Sequence, residues 1–330
     1  MPEPIDFQTM LTYMRPAGSV HERKFCNRYI VPVFGKSDKF GNYTKIIGDK
    51  PVVSFMAHYD TVHNKSGRSV VTLQDGFYSV SGANCLGADC TTGVYIILKM
   101  IEAKVPGVYV IHADEERGCI GSKHLVESAP DWFNHVQVAI SFDRKGYESI
   151  VTHQMGVRTC SDDFASSLAD MLYMDFKTDK GGVYTDSNEY ADVISECTNL
   201  SVGYFSQHTS KEVQHKEFLE ELIESLISAN WDDLVVSRQS SDYEDIYEDY
   251  NYYLQSRGIR FEPKVIKSTL DHNNYRESRE DETLEEMSEI IRKHTRVVAA
   301  ILNDMGIDAY DLVDQIEDYK ANISSSRGFW

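Results

Sequence analysis

His58 and Asp60 stand two residues apart in Ala57-His58-Tyr59-Asp60-Thr61-Val62, at the end of the apolar run Val52-Val53-Ser54-Phe55-Met56. An imidazole binds a metal through one ring nitrogen, and a nearby carboxylate orients it through the other. Alone, such a pair arises by chance in many chains. Here further donors of matching chemistry follow in order: Asp89, Glu115, Glu116, Asp143 and His208. Two divalent ions about 3.5–4 Å apart can share a bridging carboxylate and activate a water between them. Such a centre needs a bridge, one imidazole and one carboxylate for each ion, and a base for the water's proton. These residues supply every part.

The elements that must hold these donors can be read from apolar periodicity. Helices are expected over Phe7 to Tyr13 and Glu22 to Val31, broken by Arg15-Pro16-Ala17-Gly18-Ser19, with Ser19 as an N-cap. Tyr43 to Ile47 alternates as a strand, and the strand ending at His58 follows. A hairpin turning at Asp75-Gly76 joins Ser69–Gln74 to Gly76–Val80. The small residues Gly82 to Ala88 form a loop leading to Asp89, and Val94, Ile97, Leu98 and Ile101 give a buried helix over Thr92 to Ala103.

Further strands are expected over Gly107 to Ala113, Val136 to Phe142 and Asn199 to Tyr204, with a helix over Asp162 to Met174. Ser210 to Asn230 reads as an amphipathic helix with Val213, Phe218, Leu222, Leu226 and Ile227 inward. Strands alternating with helices predict an α/β fold of three layers, α/β/α, around a central mixed, largely parallel sheet. Ligands of such sheets lie beyond the carboxyl ends of the strands, which is where His58, Glu115, Glu116 and Asp143 fall.

Composition narrows the function classes. The chain of 330 residues is 42% hydrophobic and 26% charged, as in soluble globular proteins, and no apolar run approaches the roughly 20 residues of a membrane span. A net charge of -19 disfavours nucleic acid and anionic membrane surfaces as partners. The N-terminus Met1 to Asp6 lacks a basic segment followed by an apolar one, and the six cysteines show no C-x-x-C spacing. Reduced thiols and a cytoplasmic location are the expectation. No internal repeat at solenoid spacing is found. After Leu234 the chain turns acidic and tyrosine-rich, with helical patterns at Leu284 to Met305 and Tyr310 to Tyr319. The expected organisation is a catalytic domain over 1–234 and a mainly helical C-terminal region over 235–330. That second region is a solvated face, with a protein-partner or homo-oligomer surface as the sharper alternative.

Taken in order, five segments resemble the di-zinc exopeptidase superfamily of aminopeptidases, peptidase-T-like and acylamino-acid hydrolase relatives. They are His58-Tyr59-Asp60-Thr61-Val62, Leu86-Gly87-Ala88-Asp89, Glu115-Glu116-Arg117-Gly118 with Gly121-Ser122, Ser141-Phe142-Asp143, and Asn199 to Tyr204 leading to His208. The resemblance implies a zinc-exopeptidase, phosphorylase/hydrolase-like fold. It also implies that His58 and Asp143 hold one Zn2+, Glu116 and His208 the other, and Asp89 the bridge. Glu115 would be the general base, with Asp60 orienting His58. Zinc suits this mixture of imidazole and carboxylate, and cobalt or manganese takes the same ligands. The implied activity is hydrolysis of an amide bond in a peptide or small amide by a metal-bridging hydroxide. An aminopeptidase is the first reading; the alternatives are a deacylase of N-acyl amino acids and a silent binding protein retaining the fold.

Glu115 and Glu116 cannot both point the same way from an extended segment, which leaves one to ligate and one to face the substrate. For the last ligand, His215 competes with His208, but it falls inside the expected helix whereas His208 sits at a strand-to-helix junction. His63, His112, His124 and His153 are expected to be structural, with His63 near the cleft. Cys90 stands where relatives often carry an acidic residue, and a non-proline cis peptide is expected at Asp89-Cys90. Gln207 holds the place of an oxyanion-stabilising tyrosine, leaving Tyr204 and Tyr184 as candidates. The spacing from Asp143 to His208 leaves no room for an inserted lid domain. Asp186 lies in a stretch resembling one that shapes specificity in relatives, and turn-capping explains it equally well.

Overall fold

The computed structural model describes residues 5–82 and 84–240. The helical patterns expected beyond 240 lie outside the described residues. A seven-stranded sheet organises the rest: β1 (Tyr43–Ile47), β2 (Val53–His58), β3 (Gly107–His112), β4 (Val138–Arg144), β5 (Ser149–Val151), β6 (Lys177–Asp179) and β7 (Glu196–Ser201). Their spatial order is β6-β5-β7-β4-β2-β3-β1. The four central strands β7, β4, β2 and β3 run parallel, while β1 pairs antiparallel with β3 and β5 antiparallel with β7. The sheet is mixed and largely parallel, as its periodicity predicts. Strands β2 and β3 are buried along their whole length, which is why they read as unbroken apolar runs rather than alternating ones.

Register sets the site. His58 lies opposite His112, and Met56 opposite Ser141, so the carboxyl ends of β2, β3 and β4 come out at one edge. Helix α1 (Ala88–Glu102) crosses β2 and β4 directly. A side chain at Gly93 would meet the Phe142 carbonyl at 2.5 Å and the Ala57 Cβ at 2.9 Å, so only glycine allows this approach. Beneath, the buried Phe55 ring packs on Tyr109, Phe142 and Trp231. Truncating such a ring to alanine costs about 3–5 kcal/mol.

Helix α2 (Ile120–Ser128) and helix α3 (Asp162–Leu172) complete the layers with helix α4 (Lys216–Ser228). The N-terminal segment folds as helices Phe7–Leu11 and Val20–Phe25, and Ser19 caps the second by accepting from the Glu22 N–H, as expected. A smaller antiparallel sheet is built from Val71–Gln74, Phe77–Val80, Val213–His215 and Tyr204–Phe205. Its hairpin turns at Asp75-Gly76, both at positive φ, which suits the twist of the flanking strands.

One expectation is corrected here. The amphipathic helix begins at Lys216, not Ser210, because Val213–His215 is extended and pairs with Phe77–Ser79. The buried face of α4 is Leu219, Leu222, Ile223 and Leu226. His215 therefore ends a strand and stacks on Phe77, 4.6 Å between ring centres, instead of lying within a helix.

Candidate metal centre

The strand ends deliver His58 and Asp143, and the turn after β3 delivers Glu115 and Glu116. That turn is a single 3-10 turn, Glu115–Arg117, rather than the extended segment expected. Asp89 enters from the first turn of α1, where the Asp89-Cys90 peptide is cis, as expected, and the helix is kinked. His208 comes from the turn between Tyr204–Phe205 and Val213–His215, at positive φ.

These side chains converge. His58 Nε2 lies 3.1 Å from Asp89 Oδ1, 3.4 Å from Asp143 Oδ1 and 3.8 Å from Glu115 Oε2. On the other side, His208 Nε2 lies 3.1 Å from both Asp89 Oδ2 and Glu116 Oε1. Asp89 thus turns one oxygen toward each imidazole. Donor atoms of Asp89, Glu116 and His208 lie within 4.8 Å of one another, as do those of His58, Glu115 and Glu116. The thiol of Cys90 lies equally close to His58 and Asp143, but it donates to the Phe142 carbonyl at 3.2 Å.

Asp60 sits behind this cluster, fully buried. Its Oδ1 lies 3.3 Å from His58 Nδ1 and accepts from the Glu115 N–H, while Oδ2 accepts from the Glu116 N–H, both at 3.1 Å. One carboxylate therefore orients an imidazole and fixes the backbone of both glutamates. Burial raises its pKa, but the hydrogen bond and charge of His58 outweigh that and hold it below the usual range.

The same competition runs through the centre. Burial and then the Asp89 charge push Asp143 up to about 7. Burial raises Glu115 strongly, offset in part by His58, and raises Glu116 beside Asp89. Asp89 goes the other way: burial is overcome by hydrogen bonds from His208 and His58. For His208 burial is overcome by hydrogen bonds to Asp89 and Glu116, which bring it to about 11. Burial lowers His58, and the charges of Cys90 and Asp143 reverse this to a net rise. Acidic groups packed this closely repel one another unless positive charge lies between them. The imidazole and carboxylate donors suit zinc-type ions, so the residues fit such a centre.

Several supporting contacts carry no signal in the sequence. Thr185 Oγ1 donates to Asp143 Oδ2 at 2.8 Å and the Tyr204 hydroxyl to Asp143 Oδ1 at 3.2 Å. Tyr204 is thereby engaged and not free to face an oxyanion, while Tyr184 is exposed and lies against the Lys123 ammonium. The Asn199 side chain accepts from the Asp143 N–H and donates to its carbonyl, fixing β4 at its end. Of the remaining histidines, His63 is buried against Thr61 Oγ1. His112 bridges Asp186, 3.1 Å from its Nδ1, and the Tyr190 hydroxyl, 2.6 Å from its Nε2. Asp186 is buried in this network, at the first position of the short helix Asp186–Glu189.

The family model described as Peptidase family M28 matches residues 42–179, a stretch containing His58, Asp89, Glu115, Glu116 and Asp143 but ending before His208. No curated protein sequence matches the chain. Among solved structures, the fold is similar to aminopeptidase PepT from Bacillus cereus, with a TM-score of 0.56 at 15% identity, covering 67% of this chain and 95% of that one. A tripeptidase from Staphylococcus aureus gives 0.56 at 14% identity, with coverage of 67% and 95%. A TET aminopeptidase from a marine sediment archaeon of the Thaumarchaeota gives 0.52 at 13%, with coverage of 67% and 93%. At such identities the likeness establishes the fold. Residues 42–179 are thus a peptidase family M28 domain of the zinc-dependent exopeptidase superfamily, and the chain that carries it is a metallopeptidase.

Proposed function

We propose that the protein is a di-zinc aminopeptidase. In this reading His58 and Asp143 hold one ion, Glu116 and His208 hold the other, Asp89 is shared between them, and Glu115 is the general base. The observation that supports it most is the placement of Asp89, with each carboxylate oxygen 3.1 Å from a different imidazole. A carboxylate with two faces, each turned to one His and backed by one further acid, is what a shared ligand requires.

When bound, such ions polarise a carbonyl and lower the pKa of water, which is the chemistry amide hydrolysis needs. The chain's own residues then divide the remaining work. Asp60 holds His58 in one orientation and keeps Glu115 and Glu116 in fixed register through their N–H groups. Glu115 Oε2 lies 3.8 Å from His58 Nε2, beyond hydrogen-bond reach, and its other oxygen is touched only weakly, by the Cys119 thiol at 3.6 Å. Glu115 is therefore the acid left available to take a proton from the attacking water and pass it to the leaving amine. Thr185 and Tyr204 hold the Asp143 carboxylate in place through one hydrogen bond to each oxygen. The similar solved structures include proteins named as aminopeptidases and a tripeptidase, which favours removal of residues from a peptide's amino terminus over deacylation.

The test is turnover of a panel of amino-acid amides, short peptides and N-acyl amino acids by the zinc-loaded protein and its Glu115→Gln variant. Amides and peptides should be cleaved, and the variant should keep its metal while losing about 10²–10⁴-fold in kcat. Cleavage of N-acyl amino acids alone would move the protein to the deacylase branch, and an active Glu115→Gln variant would remove the assigned base.

A further inference from the structure

Glu212 is a carboxylate sealed in the interior, four residues beyond His208, and no step of the proposed chemistry uses it. Its Oε2 accepts from the Gly87 N–H at 2.8 Å and its Oε1 from the Asp89 N–H at 3.1 Å. Both donors belong to the loop that introduces Asp89. Gly87 has positive φ, and a side chain there would lie 2.6 Å from the His63 ring, so the loop path is fixed from that side too. Two residues further along, Gln214 accepts from Thr92 Oγ1 near the start of α1 and donates to the Val202 carbonyl. The segment that carries His208 is therefore fastened to the segment that carries Asp89 at two points.

We propose that Glu212 is a positioning residue that couples the two halves of the metal centre. It pins the Gly87–Asp89 loop so that Asp89 stands between the imidazoles, and it fastens that loop to the His208 turn. The physical reason is that one carboxyl group accepting from two backbone N–H groups fixes both donors at once. Because Glu212 lies outside the residues matched to the family, the coupling runs from the C-terminal part of the fold back into the M28 domain. The inference rests on the reading of Asp89 as the shared ligand, so its test has one arm that needs no metal.

In that arm, amide hydrogen exchange is followed by mass spectrometry on the metal-free full chain. The parent, Glu212→Gln and Glu212→Ala are compared with Glu196→Gln. Glu196 is a useful control because it is also buried and accepts from Ser161, Ser237 and Arg238, away from the centre. Both Glu212 variants should speed exchange across residues 84–91 at least tenfold while β2 and β4 keep the parent's protection. The Glu196 variant should leave that loop unchanged. In the second arm, cobalt(II) titration followed by its visible absorption should show both ions weakened at least tenfold, because Asp89 is shared between them. Unchanged loop exchange in the Glu212 variants, an equal rise in β2 and β4, or an equal loosening by Glu196→Gln would overturn the anchoring role. A loosened loop with both cobalt steps intact would overturn the coupling. A parent that takes up no cobalt would overturn the metal reading itself, leaving the anchor to be judged by exchange alone.

Discussion

The two imidazoles of the centre stand in opposite surroundings. His58 ends a strand buried on both faces, and its side chain is 1% exposed; His208 sits in a turn, and its side chain is 46% exposed. His58 has Asp60 behind it and the register of three parallel strands around it. His208 depends on a short loop fastened through Glu212 and Gln214. One half of the centre is built into the sheet, and the other is brought to it by a loop of the smaller sheet. On the proposed reading the two ions would not bind as equals, because the His58 side is buried in the sheet and the His208 side is half-exposed in a turn.

The largest effect expected from this contrast is on stability. His58→Ala removes the buried partner of several acids, a change that costs about 3–5 kcal/mol where one member of a buried pair is lost. His208→Ala, at a half-exposed turn where solvent screens the pairing with Asp89 and Glu116, should cost less than His58→Ala. Equal midpoints for the two metal-free variants would remove the distinction between a built half and a carried half.

A smaller effect is expected at Asp60. Asp60→Asn keeps the size of the side chain but can no longer accept on both oxygens, so the orientation of His58 and the backbone of Glu115 and Glu116 both loosen. Metal affinity should fall about 10–100-fold, the usual cost of losing such a supporting partner. Because Asp60 touches Glu116 as well as His58, isothermal titration should find both ions weakened. A loss confined to one ion would mean that Asp60 serves its own half alone.

A separate effect is a pH slope, about tenfold for each unit of pH. Without metal, His208 is raised to about 11 and His58 is raised as well, so both rings hold protons at neutral pH. Ligation needs the neutral ring, so binding must release protons, and affinity rises with pH below those raised values. Zinc affinity should climb about tenfold or more per pH unit between roughly pH 6 and 8, the slope of one or more protons released per ion. Calorimetry in two buffers of different ionisation enthalpy counts those protons, and no buffer dependence would contradict the assigned ligands.

What the sequence made legible follows the same division. His58, Glu115, Glu116 and Asp143 could be read because each follows an apolar run long enough to mark a buried strand, and strand ends in such a sheet share one edge. The His208 side was harder. Val213–His215 mimics helical spacing with the residues after it, and only its pairing with Phe77–Ser79, far away in the chain, makes it a strand. Glu212 stands in Thr209-Ser210-Lys211-Glu212, at the start of the stretch that reads as an amphipathic helix, and nothing local announces that its carboxylate is buried against Gly87 and Asp89. Asp186 hides its pairing with His112 for the same reason, since the partner arrives through the fold. Local pattern reveals residues that terminate regular elements, and it is blind to those whose role is set by a distant segment.

In the proposed centre two ions would share Asp89 between a buried and an exposed histidine. The most direct measurement is elemental analysis of the zinc-loaded parent and of His208→Ala after exhaustive dialysis. About two zinc ions per chain are expected in the parent and about one in the variant, with the remaining ion held on the His58 side. Two ions retained in His208→Ala, or none in the parent, would contradict it.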